Sequence, residues 1–248
     1  MSVLQDKVIW VTGAGTGIGR AIAHMLAGQG SVLALMGRRK EVLEEVRDEV
    51  SKMGARGTET VPLDVADRES VLAAGKSLLE KYGRVDILVN NAGLNIPDRS
   101  LVKLQPEDWD KVIHVNLTGA YNMIHAVLPA MRKQKDGLII NVSSIAGVKP
   151  SSLAGTAYTA SKFGVTGMTG VINEEEWSNG IRATALCPGE VNTPIMEKRP
   201  VKIPPEDLAR MIQPEDMAAA VKFLGELPGR THIPEMLVMP THRRGVPV

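Results

Sequence analysis

Lys7-Val8-Ile9-Trp10-Val11-Thr12-Gly13-Ala14-Gly15-Thr16-Gly17-Ile18-Gly19, followed by an apolar-periodic segment from Ala21 to Leu26, is the stretch whose reading decides the fold. Lys7 to Val11 is a short apolar run rich in β-branched residues, and glycines punctuate the segment from Gly13 to Gly19. This predicts strand, glycine turn, helix. Such a turn suits a pyrophosphate: glycine lets the backbone approach a ligand closely, and a helix N-terminus offers free N–H groups and a partial positive charge. The spacing is G-x-x-x-G-x-G through Gly13, Gly17 and Gly19, not the commoner G-x-G-x-x-G. A merely flexible surface turn fits poorly between a buried strand and a helix at the head of a repeating pattern.

Outward from that unit the alternation continues. Ser31 to Met36 reads as strand, Lys40 to Met53 as a charged amphipathic helix, Thr58 to Pro62 as strand, Asp67 to Tyr82 as helix and Val85 to Val89 as strand. A long helix is expected from about Pro106 to Arg132, then a strand from Leu138 to Val142 and a helix that carries Tyr158 and runs to about Asn179. Ile181 to Leu186 and Glu235 to Met239 supply the last strands. Strands that are continuous apolar runs, alternating with helices, predict a parallel sheet covered on both faces. The expectation is a three-layer, doubly wound α/β fold with about seven parallel strands, as one domain over residues 1–248. Its cofactor half spans about 1–150 and its catalytic and substrate half about 136–248.

The totals narrow the function classes. Of 248 residues, 44% are hydrophobic and 23% charged, an ordinary globular balance. A net charge of +1 gives no electrostatic reason to expect nucleic acid or an anionic membrane as partner. The apolar runs fall short of the roughly 20 residues needed to span a bilayer. The first ten residues contain Gln5, Asp6 and Lys7 and no signal-peptide apolar region. The single cysteine, Cys187, cannot form an internal disulfide, so a cytoplasmic location is the default expectation. The five histidines and Cys187 show no metal-ligand spacing, and no metal is expected.

The chemistry is concentrated around Tyr158-Thr159-Ala160-Ser161-Lys162. A tyrosine four residues before a lysine on a helix puts a phenol and an ammonium on one face, where the cation is expected to lower the phenol pKa. Transfer of a hydride to a carbonyl carbon leaves a developing alkoxide, which needs a donor to polarise the oxygen and an acid to protonate it. Ser144 at a strand end is the candidate polariser, with Ser143 as the alternative, and Tyr158 is the candidate acid. Asn116 is expected to kink its helix and position a water that relays protons to Lys162. Each residue also has a structural reading: Ser144 as a strand-end cap, Asn116 as a core amide or helix cap, Tyr158 and Lys162 as a surface pair.

Taken in order, these segments resemble the short-chain dehydrogenase/reductase family over almost the whole chain. The resemblance rests on Thr12-x-x-x-x-Gly17-x-Gly19 with Gly13, on Asn90-Asn91-Ala92-Gly93, on Asn116, Ser144, Tyr158 and Lys162, and on Pro188-Gly189 with Thr193. It implies a Rossmann-type fold, an NAD(P)-dependent alcohol dehydrogenase or carbonyl reductase, and a catalytic tetrad of Asn116, Ser144, Tyr158 and Lys162. Gly13, Gly15, Thr16, Gly17, Ile18 and Gly19 would form the pyrophosphate loop, and Asp64 and Val65 would meet the adenine, although Asp64 could instead cap the next helix. Asn91, Ala92 and Gly93 would line the cofactor, Lys162 with Tyr158 would hold the nicotinamide ribose, and Pro188, Gly189, Val191 and Thr193 would close over the nicotinamide. The family forms dimers and tetramers through the long helix and the Tyr158 helix, so a homodimer or homotetramer is implied. Pro234 to Thr241 departs from the Val-Asp-Gly-Gly ending of many members and is closer to the hydroxy-acid and carbonyl reductase branches.

An Asp or Glu about 20 residues after the glycine loop ordinarily binds a ribose 2′-OH and repels a 2′-phosphate. Here Met36-Gly37-Arg38-Arg39 stands at that place, with no acid before Glu41. Arg38 and Arg39 can pair with a phosphate, which favours NADP and leaves NAD open, or they can pair with Glu41 or Glu45. Substrate recognition is expected from about Pro194 to Gln213, read as a mobile lid, with Leu94, Asn95, Ile145 and Leu153; Lys198 or Arg199 could meet a carboxylate or phosphate. The substrate class is a small carbonyl or alcohol, among 3-hydroxy acids, 3-oxoacyl compounds and general ketones. The competing reading is a cofactor-binding regulatory protein without turnover, against which an intact tetrad counts.

Overall fold

The computed structural model describes residues 2–199 and 203–242, with the Lys198 side chain outside that set. The elements follow in order as β1 Val8–Thr12, α1 Gly17–Ala27, β2 Val32–Gly37, α2 Lys40–Lys52, β3 Gly57–Pro62, α3 Arg68–Tyr82 and β4 Ile87–Asn90. Then come α4 Pro106–Ile113, α5 Gly119–Gln134, β5 Gly137–Val142, α6 Thr156–Glu176, β6 Ile181–Pro188, α7 Pro205–Leu208, α8 Pro214–Glu226 and β7 Glu235–Val238. All seven strands lie in one parallel sheet of order β3-β2-β1-β4-β5-β6-β7. This is the doubly wound α/β fold expected from the strand and helix alternation.

The residues of β1 explain why both faces are covered. Ile9 and Val11 point into one apolar cluster and Val8 and Trp10 into another, on opposite sides of the sheet. Successive strand residues face opposite ways, so a strand apolar at every position must be buried twice. The first cluster takes Ile22 and Leu26 of α1, Leu43 and Val46 of α2, and Met217, Val221 and Leu224 of α8. The second takes Val71 and Leu78 of α3, Met123 and Val127 of α5, and Ile172 of α6.

Three elements depart from expectation. The predicted helix from Pro106 to Arg132 is two helices, α4 and α5, joined by a π turn over His114–Thr118 with Asn116 at its centre. The cause is tertiary: Asn116 is drawn into the loop after β4, and a helix widens locally to let such a side chain reach its partners. The Tyr158 helix ends at Glu176, and a 3-10 turn, Trp177–Asn179, completes the predicted span. Helix α8 has no counterpart in the sequence reading, yet its signals are local. Gln213 and Asp216 form a capping box, Pro214 stands in the first turn, and Met217, Ala218, Val221 and Leu224 are spaced as one buried face. No helix among the described residues is long and apolar enough to cross a membrane.

Candidate active site

In an open parallel sheet, the order reverses between neighbours whose connections leave in opposite directions, and a crevice opens there at the C-terminal strand ends. Here that point lies between β1 and β4. The crevice is a cleft of about 370 Å³. Its floor is latched by Thr12, whose hydroxyl accepts from Asn91 N and Ala92 N, each at 2.9 Å, and donates to Val89 O at 3.3 Å. Asn91 returns the contact by donating from Nδ2 to Thr12 O at 2.9 Å. The glycine turn and the Asn-Asn-Ala-Gly turn are therefore one unit.

The turn needs its glycines for different reasons. Gly13 and Gly17 have φ of +65° and +53°, the left-handed region where a side chain is strained. Gly19 has no part in the cleft wall: a Cβ there would lie 2.1 Å from Gly13 O, so it lets α1 pack onto the turn. Gly13, Gly15, Thr16, Gly17 and Ile18 line the cleft. The first turn of α1 contains no acidic residue and Thr16 makes no side-chain cap, which leaves the positive end of the helix directed at the crevice.

At the end of β2, Gly37, Arg38 and Arg39 form the far wall. A Cβ at Gly37 would meet nothing closer than Leu43 Cδ2 at 3.6 Å. Both arginines are exposed, and neither makes an ion pair among the described residues, with Glu41 and Glu45 or otherwise. Asp64 and Val65 line the cleft, and Asp64 Oδ1 accepts from Ala66 N at 3.0 Å. The cap of α3 is Asp67, which accepts from Ser70 N at 3.2 Å, so Asp64 is not the helix cap.

Ser144, Tyr158 and Lys162 meet on the opposite wall. Ser144 leaves β5 in an extended conformation, and its Oγ accepts from Ala146 N at 3.1 Å. Ser143 turns inward, donating to Lys162 O at 3.1 Å and sharing a hydrogen bond with Thr166 at 2.9 Å. Ser144 is thus the serine on the Tyr158 side, as the sequence order suggests. Lys162 is buried, its Nζ donates to Val142 O at 2.7 Å, and it stands 5.6 Å from the Tyr158 ring centroid. Lys162 is buried and Tyr158 half-buried, so the two do not form a surface pair.

The electrostatics correct one expectation. Burial pushes the Tyr158 phenol above its ordinary value, opposite to the direction expected from the i,i+4 pair, and the Ser144 hydroxyl and the charge of Arg99 oppose that rise. Lys162 points its charge at a backbone carbonyl, and burial lowers its own pKa to about 8. An i,i+4 spacing brings the two groups together but does not fix where the ammonium is aimed.

Asn116 is buried behind them. Its Nδ2 donates to Leu94 O at 2.9 Å and to Ser161 Oγ at 3.1 Å, while Oδ1 accepts from Leu94 N at 2.8 Å. Asn116 does not line the main cleft. It lines a cavity of about 10 Å³ together with Asn90, Thr12 and Lys162, about the room one water takes.

The end of β6 and the segment after it form one side of the cleft. Pro188, Gly189, Val191 and Thr193 line the cleft, and Thr193 Cγ2 would lie 3.2 Å from a Cβ on Gly17. Arg199 is paired with Glu190 at 2.6 Å, so its guanidinium is already engaged by a carboxylate of this chain. The Lys198 side chain and residues 200–202 lie outside the described residues. Leu94 faces the cleft, whereas Asn95 is used structurally, donating to Ala154 O at 2.9 Å, and Leu153 is exposed. Cys187 is buried, and burial pushes its thiol up. Among the described residues, no three His, Cys, Asp or Glu side chains converge to hold a metal. The sequence reading misses Thr12 as the latch and Arg99 as the cation near Tyr158.

The sequence pattern that defines the short chain dehydrogenases matches residues 7–203. The chain belongs to that family. Among its members, 3-oxoacyl-[acyl-carrier-protein] reductase FabG of Thermotoga maritima is 38% identical over 226 residues, covering 89% of this chain and 91% of the relative. An uncharacterized oxidoreductase of Staphylococcus saprophyticus is 36% identical over 240 residues, covering 97% of this chain and all of the relative. Two solved structures of the family share the fold. A metagenomic short-chain oxidoreductase in complex with NADP superposes with a TM-score of 0.84 at 36% identity over 97% of this chain and 100% of its own. An alcohol dehydrogenase from the archaeon Thermococcus sibiricus, complexed with 5-hydroxy-NADP, gives 0.87 at 31% identity, covering 98% of this chain and 100% of its own. As a short chain dehydrogenase, the protein is an oxidoreductase.

Proposed function

We propose that this oxidoreductase moves a hydride between NADP(H) and a small carbonyl or alcohol, with Tyr158 as acid in reduction and base in oxidation. The observation that carries the reading is the convergence of Ser144, Tyr158 and Lys162 on one wall of a cleft whose other end is the glycine turn and two arginines without ion pairs among the described residues. A bound nicotinamide dinucleotide supplies the hydride. The residues fit such a group: Gly13 and Gly17 line the cleft in the left-handed region without side chains, and no carboxylate occupies the end of β2 where a 2′-phosphate would sit. Arg38 and Arg39 take that phosphate, Asp64 and Val65 the adenine side, and Asn91, Ala92 and Gly93 the middle of the cleft. Pro188, Gly189, Val191 and Thr193 cover the nicotinamide end.

Ser144 donates to the carbonyl oxygen and Tyr158 delivers the proton to it. Lys162 holds ribose hydroxyls and, with a pKa of about 8, passes protons at neutral pH. Asn116 and the one-water cavity beside it continue the route inward. The solved relatives' NADP and 5-hydroxy-NADP support the choice of cofactor, and the name of the Thermotoga relative supports 3-oxoacyl compounds as the first substrates to try. The whole chain works as one unit, and assembly as a homodimer or homotetramer belongs to the same reading.

The test is a panel of ketones, keto esters and 3-oxoacyl thioesters, each mixed with NADPH or NADH and followed by loss of the reduced-nicotinamide absorbance. Turnover of at least one compound, faster with NADPH, is the expected result. Tight dinucleotide binding with no turnover across the panel would favour the regulatory alternative.

A further inference from the structure

The loop after β4 carries a buried cation that the proposed chemistry does not use. Arg99 is only 8% exposed, and a guanidinium is removed from water at a cost unless polar groups surround it. Its Nε donates to Ile96 O at 2.8 Å and its Nη1 to Leu153 O at 3.3 Å. These carbonyls belong to two loops far apart in sequence, one after β4 and one ahead of α6. The backbone repeats the join: Thr156 N donates to Arg99 O at 3.3 Å. Gly155 has φ of +85°, and a Cβ there would lie 2.5 Å from Arg99 Cβ, so the two chain segments touch with no room for a side chain. Tyr158 packs on the cluster of Leu94, Ile96, Val112 and Ala157, and Ile96 is the residue whose carbonyl Arg99 holds.

We propose that Arg99 is a positioning residue for Tyr158: it stitches the loop after β4 to the segment ahead of α6, seats the phenol, and keeps a positive charge beside it. The proposal rests on the reading of Tyr158 as acid and base. The groups around the phenol define what else contributes. Lys162 comes from α6 itself, with Nζ 5.6 Å from the Tyr158 ring centroid, and Ser144 from the end of β5, while Arg199 of the segment after β6, paired with Glu190, acts on Arg99. Helix α4 contributes only the apolar Val112 and Trp109 to the cluster. The coupling is mutual: Arg99 favours the phenolate, and the phenolate favours the guanidinium, which burial first and Arg199 second push the other way.

The test titrates the phenol directly, by ultraviolet difference spectroscopy of the wild type, Arg99→Gln and Arg99→Lys, each measured against its own Tyr158→Phe background. Tyr158 should ionise at higher pH in Arg99→Gln than in the wild type, whereas Arg99→Lys should stay close to the wild type. In reduction of the best panel substrate with NADPH, the alkaline limb of kcat should move up in the glutamine variant while KM for NADPH is unchanged. Coincident titrations in Arg99→Gln and wild type would overturn the proposal. So would a displaced titration in Arg99→Lys, which keeps the charge and decides the question even if the glutamine variant does not fold. Full turnover in Tyr158→Phe would instead remove the acid/base reading and leave the titration result standing.

Discussion

At the scale of single residues, Lys162 carries a consequence that reaches beyond catalysis. Its pKa falls from the ordinary lysine value of 10.5 to about 8 because the ammonium is buried. In the unfolded chain the side chain is protonated up to about 10.5, and in the folded chain only up to about 8. Between those values the unfolded state binds more protons, so stability rises with pH across that window. Below the folded value the penalty is fully present, roughly 3 kcal/mol from the size of the shift. Denaturant midpoints of the dinucleotide-free wild type and Lys162→Met should therefore diverge at neutral pH and move in the wild type's favour as pH rises toward about 10. A difference between the two that does not change with pH would contradict this. Arg38 is the second residue to probe. Arg38→Asp places a carboxylate where the 2′-phosphate would sit, and should raise KM for NADPH by about tenfold or more while NADH is spared, since losing one charged hydrogen bond is worth about 1.5–3 kcal/mol. Unchanged Michaelis constants for both would remove the phosphate assignment.

At the scale of elements, the join between the glycine turn and the Asn-Asn-Ala-Gly turn is the feature on which the cleft depends. Thr12→Val keeps the shape of the side chain and deletes the acceptor for Asn91 N and Ala92 N. Each stranded donor costs about 1–3 kcal/mol. The variant should lose roughly 2 kcal/mol or more of stability in urea and bind NADPH more weakly by fluorescence titration; a variant unchanged in both would show that the latch is dispensable. The same scale shows what is legible in the sequence. The inner strands are visible as apolar runs, because a strand buried on both faces has few polar positions to blur it, and β1 is the clearest case with Val8, Ile9, Trp10 and Val11 in opposite clusters, whereas the edge strands β3 and β7 are only partly buried and mix polar residues with apolar ones. The break at Asn116 is expected as a kink, but its form as a π turn depends on contacts to Leu94 and Ser161, which lie 22 and 45 residues away. Helix α8 escapes the sequence reading although Gln213, Pro214 and Asp216 spell out its start, because those residues adjoin the lid segment and share its proline-rich, polar character.

At the scale of the whole molecule, the candidate site is assembled from strand ends and loops that the sheet order brings to one crevice. Gly13 to Ile18, Arg38 and Arg39, Asp64 and Val65, Asn91 to Gly93, Ser144, Tyr158, Lys162 and Pro188 to Thr193 come from separate connections, and the cleft gathers them. Their residue types and order are readable because each sits beside a strand whose identity is readable. Arg99 is not, since its meaning lies in hydrogen bonds between two loops 54 residues apart, and no spacing rule reports such a contact. The aim of the Lys162 ammonium is hidden for the same reason: its partner, Val142 O, is 20 residues away on a neighbouring strand. The central claim is that this assembled site transfers a hydride with Tyr158 as the proton donor. It is tested most directly by single-turnover reduction of the best panel substrate by NADPH in the wild type and in Tyr158→Phe, with NADPH affinity measured in both. The account predicts a rate lower by about 10²–10⁴-fold in the variant with dinucleotide binding retained. A variant that reduces the substrate at the wild-type rate would contradict it.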